Sequence, residues 1–299
     1  MALSPRALRL FVAVAETGGI AAAARRLGLS IAAVSEAVSG LEAQLGRPLF
    51  ERDRRRLKLN AAGTSLLPRA QGLLRELDDL EAAYRAGRAM LRIGASVTVG
   101  NYLLPDLIVE LSRSQPDLDL DVIIRNTQAI ADAAEAFQVA VAIVEGGVVR
   151  EDLRARPWRF DDLIVIAPPD HPLSAEDATP HALAAATWVL REPGAGTRET
   201  FKAAAAAHFP IGRVGLTVGG NELLKAAVRA GVGLGCISRA AAKWELARGD
   251  LCEVRAPWLS MRRTLTVLTH VRKAPDPDVS ALLALCHRTA EPEFARHFV

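Results

Sequence analysis

In the stretch Ile20-Ala21-Ala22-Ala23-Ala24-Arg25-Arg26-Leu27-Gly28-Leu29-Ser30-Ile31-Ala32-Ala33-Val34-Ser35, an alanine-rich run closes at Gly28 and a second run opens behind Ser30. The second run continues to Leu45 with Val34, Val38, Leu41 and Leu45 on one helical face. Two helices across a tight glycine turn form a helix-turn-helix, and the small side chains at 21–24 let the two backbones approach closely. Ser30 is the natural N-cap of the second helix, whose partially positive N-terminus can then face a phosphate. Upstream, Leu8, Phe11, Val12 and Ala15 predict a helix over residues 3–16, ended by Gly18-Gly19. Downstream, Gly46-Arg47-Pro48 turns the chain into Leu49-Phe50-Glu51-Arg52-Asp53-Arg54-Arg55-Arg56-Leu57-Lys58-Leu59, an alternating hairpin that reads as a wing.

The net charge of +3 is unevenly placed: residues 1–60 hold ten Lys/Arg against five Asp/Glu, whereas 61–87 and 88–299 are each slightly acidic. Positive charge gathered at one end is what a nucleic-acid contact needs. Arg54 to Arg56 alone would fit a solvated face equally well. Next to a cap, a glycine turn and an alanine-rich helix, they fit a DNA-binding wing.

Several stretches resemble the N-terminal signature of the LysR-type transcriptional regulators: Leu10-Phe11-Val12-Ala13-Val14-Ala15-Glu16, Ala22-Ala23-Ala24-Arg25-Arg26-Leu27, Ala33-Val34-Ser35, Leu41-Glu42-Ala43-Gln44-Leu45-Gly46, Leu49-Phe50-Glu51-Arg52 and Ala62-Gly63. The resemblance extends over nearly the whole chain. It implies an all-α winged helix-turn-helix, a long linker helix and a two-lobed α/β, periplasmic-binding-protein-like effector domain, α/β overall. Its implied partners are double-stranded DNA, a small-molecule effector and further copies of the chain, as homodimer or homotetramer, with RNA polymerase as another candidate.

The sequence departs from the family in the recognition helix. Ile31 and Ala32 stand where Gln-Pro is common, and Glu36 where a basic or amide residue is usual. A glutamine can read adenine bidentately, but Ile31 and Ala32 can meet only apolar features such as a thymine methyl. Glu36 either faces the groove and repels phosphate or lies harmlessly on the flank. Contacts that position the protein are expected from Ser30, Ser35, Ser39, Arg52, Arg54, Arg55 and Lys58.

Asn60 caps an expected helix over residues 61–87, in which Leu66, Ala70, Leu73, Leu77, Leu80 and Tyr84 alternate by four and three. That is a coiled-coil seam. At ~1.5 Å per residue it spans on the order of 40 Å, and dimerisation through Leu66, Leu73, Leu77, Leu80 and Tyr84 would present two recognition helices together. Pro68 removes one helical hydrogen bond.

From Leu91 onward strands and helices alternate, which implies a parallel sheet covered on both faces. Residues 88–162 and 266–299 are expected to form lobe I and 163–265 lobe II of an effector domain over 88–299. Polar residues fall where strands end and helices begin: Ser96, Thr98, Asn126, Thr127, Glu145, Gly146, Gly196, Thr197, Arg198 and Asn221. Ligands of such sheets bind there, and hydroxyls, free N–H groups and an arginine suit a small anion or carboxylate. Ser96-Val97-Thr98-Val99-Gly100-Asn101-Tyr102-Leu103-Leu104-Pro105 and Arg191-Glu192-Pro193-Gly194-Ala195-Gly196-Thr197-Arg198 look most like family members that control sulfur assimilation and carbon fixation. Ala140 replaces the aspartate usual at the third strand.

Other classes fit less well. The 299 residues exceed a comfortable single core. The six histidines and three cysteines lack metal spacing, no nucleophile motif appears, and the glycines at 194–196 and 231–235 match neither a phosphate loop nor a dinucleotide fingerprint. No enzyme activity, metal or cofactor is therefore expected. No secretory signal or membrane-length apolar run is seen, so the expectation is a cytoplasmic protein rather than an exported transport protein. A paralogue with the same fold but weakened operator specificity stays open, given Ile31, Ala32 and Glu36.

Overall fold

The computed structural model describes residues 3–53, 56–86, 89–272 and 276–298. It divides into two compact units, Met1–Met90 with Ala136–Gln138, and Leu91–Glu135 with Val139–Val299.

The first unit holds helices α1 (Pro5–Thr17), α2 (Ile20–Leu27) and α3 (Ile31–Leu45), the hairpin β1 (Phe50–Asp53) and β2 (Arg56–Leu59), and α4 (Ala61–Ala86). Its boundaries are set by local chemistry. The Ser4 and Ser30 hydroxyls accept the Ala7 and Ala33 N–H groups, both at 3.1 Å, and Gly28 turns the chain at φ +67, a conformation that costs an L side chain energy. Leu10, Ala13 and Val14 of α1 pack on Ala23 and Ala24 of α2 and on Val34 and Val38 of α3.

A second cluster joins Leu8, Phe11, Leu41 and Leu49 to Ala70 and Leu74 of α4. Of the apolar stripe of α4, Ala70 is buried and Leu66 partly buried within the first unit. Spacing of four and three marks an apolar stripe but not what covers it. Further along, Leu73 and Leu80 are exposed at 47% and 55%, and Leu77 is half-buried. Only the backbone of Tyr84 is described.

Asn60 caps α4, its Oδ1 accepting the Gly63 N–H at 2.9 Å. A methyl group at Gly63 would fall 2.1 Å from the Leu49 carbonyl oxygen.

In the second unit one lobe contains β3 (Ala89–Ser96), α5 (Val97–Tyr102), α6 (Leu104–Ser114), β4 (Leu118–Arg125), α7 (Thr127–Glu135), β5 (Val141–Glu145) and α12 (Pro277–Arg288). The other contains α8 (Pro180–Ala185), β7 (Trp188–Arg191), α9 (Gly196–Ala206), β8 (Val214–Val218), α10 (Asn221–Arg229), β9 (Leu234–Ser238), α11 (Arg239–Arg248) and β10 (Cys252–Val254). Two long strands, β6 (Leu153–Ala167) and β11 (Arg262–His270), run between them, and the strand order is β4-β3-β5-β11-β6-β9-β7-β8 with β10 beside β6.

Apolar clusters flank each half of this sheet. Ile93 joins Trp158, Leu265 and Leu282 on one face of the first lobe, and Ile130, Val144 and Leu268 fill the other face. Trp188, Phe201 and Phe209 lie on one face of the second lobe, and Ile166, Leu224 and Ile237 on the other.

The expected parallel sheet is mixed. β3 pairs β5 and β7 pairs β8 and β9 in parallel, but β11 runs antiparallel to β5 and β6, and β6 antiparallel to β9 and β10. Residues 97–114 form two helices, α5 and α6, meeting at Leu103; Val97-Thr98-Val99, whose branched side chains favour a strand, instead open α5. α8, α11 and β10 were not anticipated. Cys236 and Cys286 are buried, which pushes both thiols up to about 12 and leaves them protonated and inert. Among the described residues no single helix is long and apolar enough to cross a membrane.

Replacing Gly63 by alanine drives a methyl into backbone that cannot yield. It should cost the first unit about 1–3 kcal/mol, read as a lower urea midpoint for that unit. An unchanged midpoint would show that α4 can move off β1 without cost.

Candidate nucleic-acid and effector sites

At about 100° per residue, the buried Val34, Val38 and Leu41 occupy one side of α3. Ala32, Glu36, Ser39 and Ala43 are turned to the opposite side and are exposed. Ser30 stands at the start of this face, Ile31 is 58% exposed beside it, and Ser35 is half-buried on its flank. Lys58 is exposed on β2 across from Glu51. Arg54 and Arg55 lie outside the described residues, and of Arg52 only the backbone is described.

In the second unit the expected polar residues divide into two groups. Thr98, Glu145, Thr197 and Asn221 meet. The Glu145 carboxylate accepts the Thr98 backbone N–H at 2.9 Å through Oε1, and the Thr197 hydroxyl at 3.2 Å through Oε2. Asn221 Nδ2 reaches Thr98 Oγ1 at 3.5 Å. Thr98 and Glu145 belong to one lobe and Thr197 and Asn221 to the other, so Glu145 and Asn221 tie the lobes together. Gly196 permits this approach: a Cβ there would lie 2.7 Å from Glu145 Cβ and 2.9 Å from Thr127 Oγ1.

The remaining expected residues hold the fold or line a recess. Asn126 caps α7 by accepting the Ala129 N–H at 2.9 Å, and Gly146 turns at φ +81. Thr127, Glu145, Gly146 and Gly196 line a recess of about 750 Å³ with Gln128, Arg150, Glu199 and Thr200. Arg198, expected to face a ligand, gives its guanidinium to the Arg191 carbonyl at 2.7 Å. The cause is helical geometry: one turn into α9, its long side chain folds back onto the end of β7.

The arginines at the centre are ones that strand-end reasoning passed over. Arg263 donates from Nη1 to Glu145 Oε2 at 2.8 Å and to Thr197 Oγ1 at 3.1 Å, and from Nε to Asp161 Oδ2 at 2.8 Å. The Ser238 hydroxyl donates to the other Asp161 oxygen at 2.6 Å. Arg191, 1% exposed, donates to Asn221 Oδ1 at 2.8 Å and holds Glu192. Asp161, shortly before the apolar run at 163–167, and Arg263, just before Thr264-Leu265-Thr266-Val267-Leu268, were the available signal. Buried charges in strands must find each other.

Burial alone would raise the Glu145 carboxyl. The Arg263 charge, the Thr98 hydrogen bonds and the Arg191 charge outweigh it and hold the carboxyl below the ordinary value. Ser96 is fully buried at the mouth of α5, and its hydroxyl has no hydrogen-bond partner among the described residues.

Residues 5–64 match the family model for the bacterial regulatory helix-turn-helix protein, lysR family, and residues 85–291 match the LysR substrate binding domain. The chain belongs to the LysR family. It is a LysR-type transcriptional regulator with an N-terminal helix-turn-helix and an α/β effector-binding domain. It is 37% identical to the uncharacterized HTH-type transcriptional regulator YeiE of Escherichia coli K12, over 91% of this chain and 93% of that one. It is 34% identical to the RuBisCO operon transcriptional regulator of Allochromatium vinosum, over 80% of each.

Among solved structures, full-length CbnR complexed with its target DNA has the same fold, with TM-score 0.69 and 21% identity over 96% of this chain and all of that one. The regulatory domain of CcmR from Synechocystis PCC6803, solved with 2-PG, matches with TM-score 0.63 and 25% identity over 68% of this chain and 98% of that one.

For this LysR-type regulator the buried charge chain makes a definite prediction with pH. Because the Glu145 carboxyl is depressed in the folded state, its contribution to stability is complete above the unfolded-state value and is lost as pH falls through the lower folded value. Urea stability measured from about pH 6 down to about pH 3 should therefore fall more steeply for the wild type than for E145Q; equal slopes would contradict the assignment. Arg263→Met, which strands two buried carboxylates, should cost about 3–5 kcal/mol at neutral pH.

Proposed function

We propose that residues 1–60 grip duplex DNA, that 61–87 link and dimerise, and that 88–299 sense a small anion held between lobe I (88–162 and 266–299) and lobe II (163–265). The outward side of α3 enters the major groove. Ser30, Ser35 and Ser39 contact the backbone, Ile31 and Ala32 meet thymine methyls, and Arg52, Arg54, Arg55 and Lys58 of the wing hold phosphates. Leu66, Leu73, Leu77, Leu80 and Tyr84 pair with a second copy, as homodimer or dimer of dimers. The protein acts in the cytoplasm, contacts RNA polymerase there and catalyses no reaction.

The observation that carries the effector proposal is the fully buried Glu145, which already sits as an anion among Thr98 N–H, the Thr197 hydroxyl and Arg263. A site that holds the chain's own carboxylate has the donors to hold another. The effector enters through the adjoining recess lined by Thr127, Gly146 and Gly196 and engages Ser96, whose buried hydroxyl has no partner among the described residues. Competition with Glu145 then changes how tightly the two lobes are tied, and the linker helices carry that difference to the DNA-binding units. The coupling can be no larger than the effector's preference for one of the two lobe arrangements.

A thermal-shift screen of inorganic oxyanions and small carboxylates tests this, since a ligand of the native state raises the melting temperature. At least one anion should raise the wild-type midpoint. E145Q, with one negative charge fewer beside Arg263, should bind that anion more tightly, on the order of tenfold. If no anion shifts either protein, or the shift is identical in both, the effector proposal fails.

A further inference from the structure

We infer that α3 reads a cytosine through the Glu36 carboxylate. The inference rests on the placement of α3 in the major groove proposed above. Glu36 differs from the other two carboxylates of α1 to α3, Glu16 and Glu42. Glu16 holds Arg26 at 3.0 Å and accepts from Gln71 at 3.2 Å. Glu42 accepts the Leu49 and Phe50 N–H groups at 2.7 and 3.3 Å, and so fixes the entry into the hairpin. Glu36 is exposed and has no partner among the described residues.

At about 100° per residue it points almost directly away from the stripe of Val34, Val38 and Leu41 that packs α3 onto the unit's core. Its neighbours on that side are Ala32, Ser39 and Gly40, too short to shield it, and α3 contains no lysine or arginine to neutralise it.

A carboxylate in that position can only accept hydrogen bonds. Guanine presents two acceptors in the major groove and thymine an acceptor and a methyl. Adenine's amino group lies beside the acceptor N7, which repels a carboxylate. Cytosine presents its 4-amino group with no acceptor on its own major-groove edge, and is the base that repays bringing Glu36 among phosphates. Ile31 and Ala32, one turn earlier, meet methyl groups, so α3 reads bases with one carboxylate and an apolar edge.

The test selects duplexes from a randomised library with the full-length wild type, E36A and E36Q, and measures affinities for the selected sites. Each wild-type half-site should contain a cytosine that becomes degenerate in E36A while the other positions persist, with discrimination at that pair falling on the order of tenfold. E36Q, whose amide both donates and accepts, should move the preference to adenine. Replacing that cytosine by 2-pyrimidinone, which lacks the amino group, should weaken the wild type and leave E36A unaffected.

The same motif in wild type and E36A, or uniformly tighter binding by E36A to every sequence, overturns the inference: Glu36 is then a tolerated flank carboxylate. A wild type that binds duplex but selects no motif supports the paralogue of weakened specificity and also overturns it. A wild type that binds no duplex removes the groove placement itself.

Discussion

A carboxylate withdrawn from water costs several kcal/mol unless its partners are withdrawn with it, and the effector domain is organised around that constraint. Arg263 and Asp161 are directly paired across the antiparallel register of β11 and β6, where the two halves of the sheet meet. Arg263 extends the chain of charge to Glu145, at the end of β5, and Thr197, at the start of α9, completes the shell of Glu145 from the opposite lobe. Each lobe is therefore incomplete by itself. Opening the domain would leave a buried carboxylate short of donors until water or a ligand arrived, which gives the lobes discrete arrangements rather than a continuum.

The first unit is governed by steric economy rather than charge. Alanines at 23 and 24 allow α2 to lie close on α1 and α3, and Gly63 allows α4 to pass against the Leu49 carbonyl. The tight core turns the polar side of α3 outward as a rigid surface. In the proposed docking, orientation on DNA falls to the cations of α2 and the hairpin and discrimination between bases to α3. That division follows from the chemistry of the duplex, whose backbone is uniform and whose base edges are not.

Much of the local structure was legible beforehand because it rests on neighbouring residues. Ser30 before an apolar-periodic run and Gly28 before it are sufficient to place α2 and α3, and Asn60 to start α4. Where two local preferences competed, packing decided: Val97-Thr98-Val99 favours a strand, yet forms α5. In the effector domain, Thr98, Glu145, Thr197 and Asn221 could be named from strand ends and helix starts. Arg263, Arg191 and Asp161 could not, since nothing local shows which strands cross.

The sequence by itself determined the order of units, the helix caps, the turn glycines and the basic character of the first sixty residues, because each depends on interactions within a few residues of chain. Only the tertiary structure decided which stripe of α4 is covered by its own unit, that Glu36 points away from the core, and that Glu145 meets Arg263 and Thr197. Those outcomes depend on contacts between residues as far apart as Glu145 and Arg263, and a one-residue slip in the register of β6 and β11 would turn Asp161 or Arg263 to the other face.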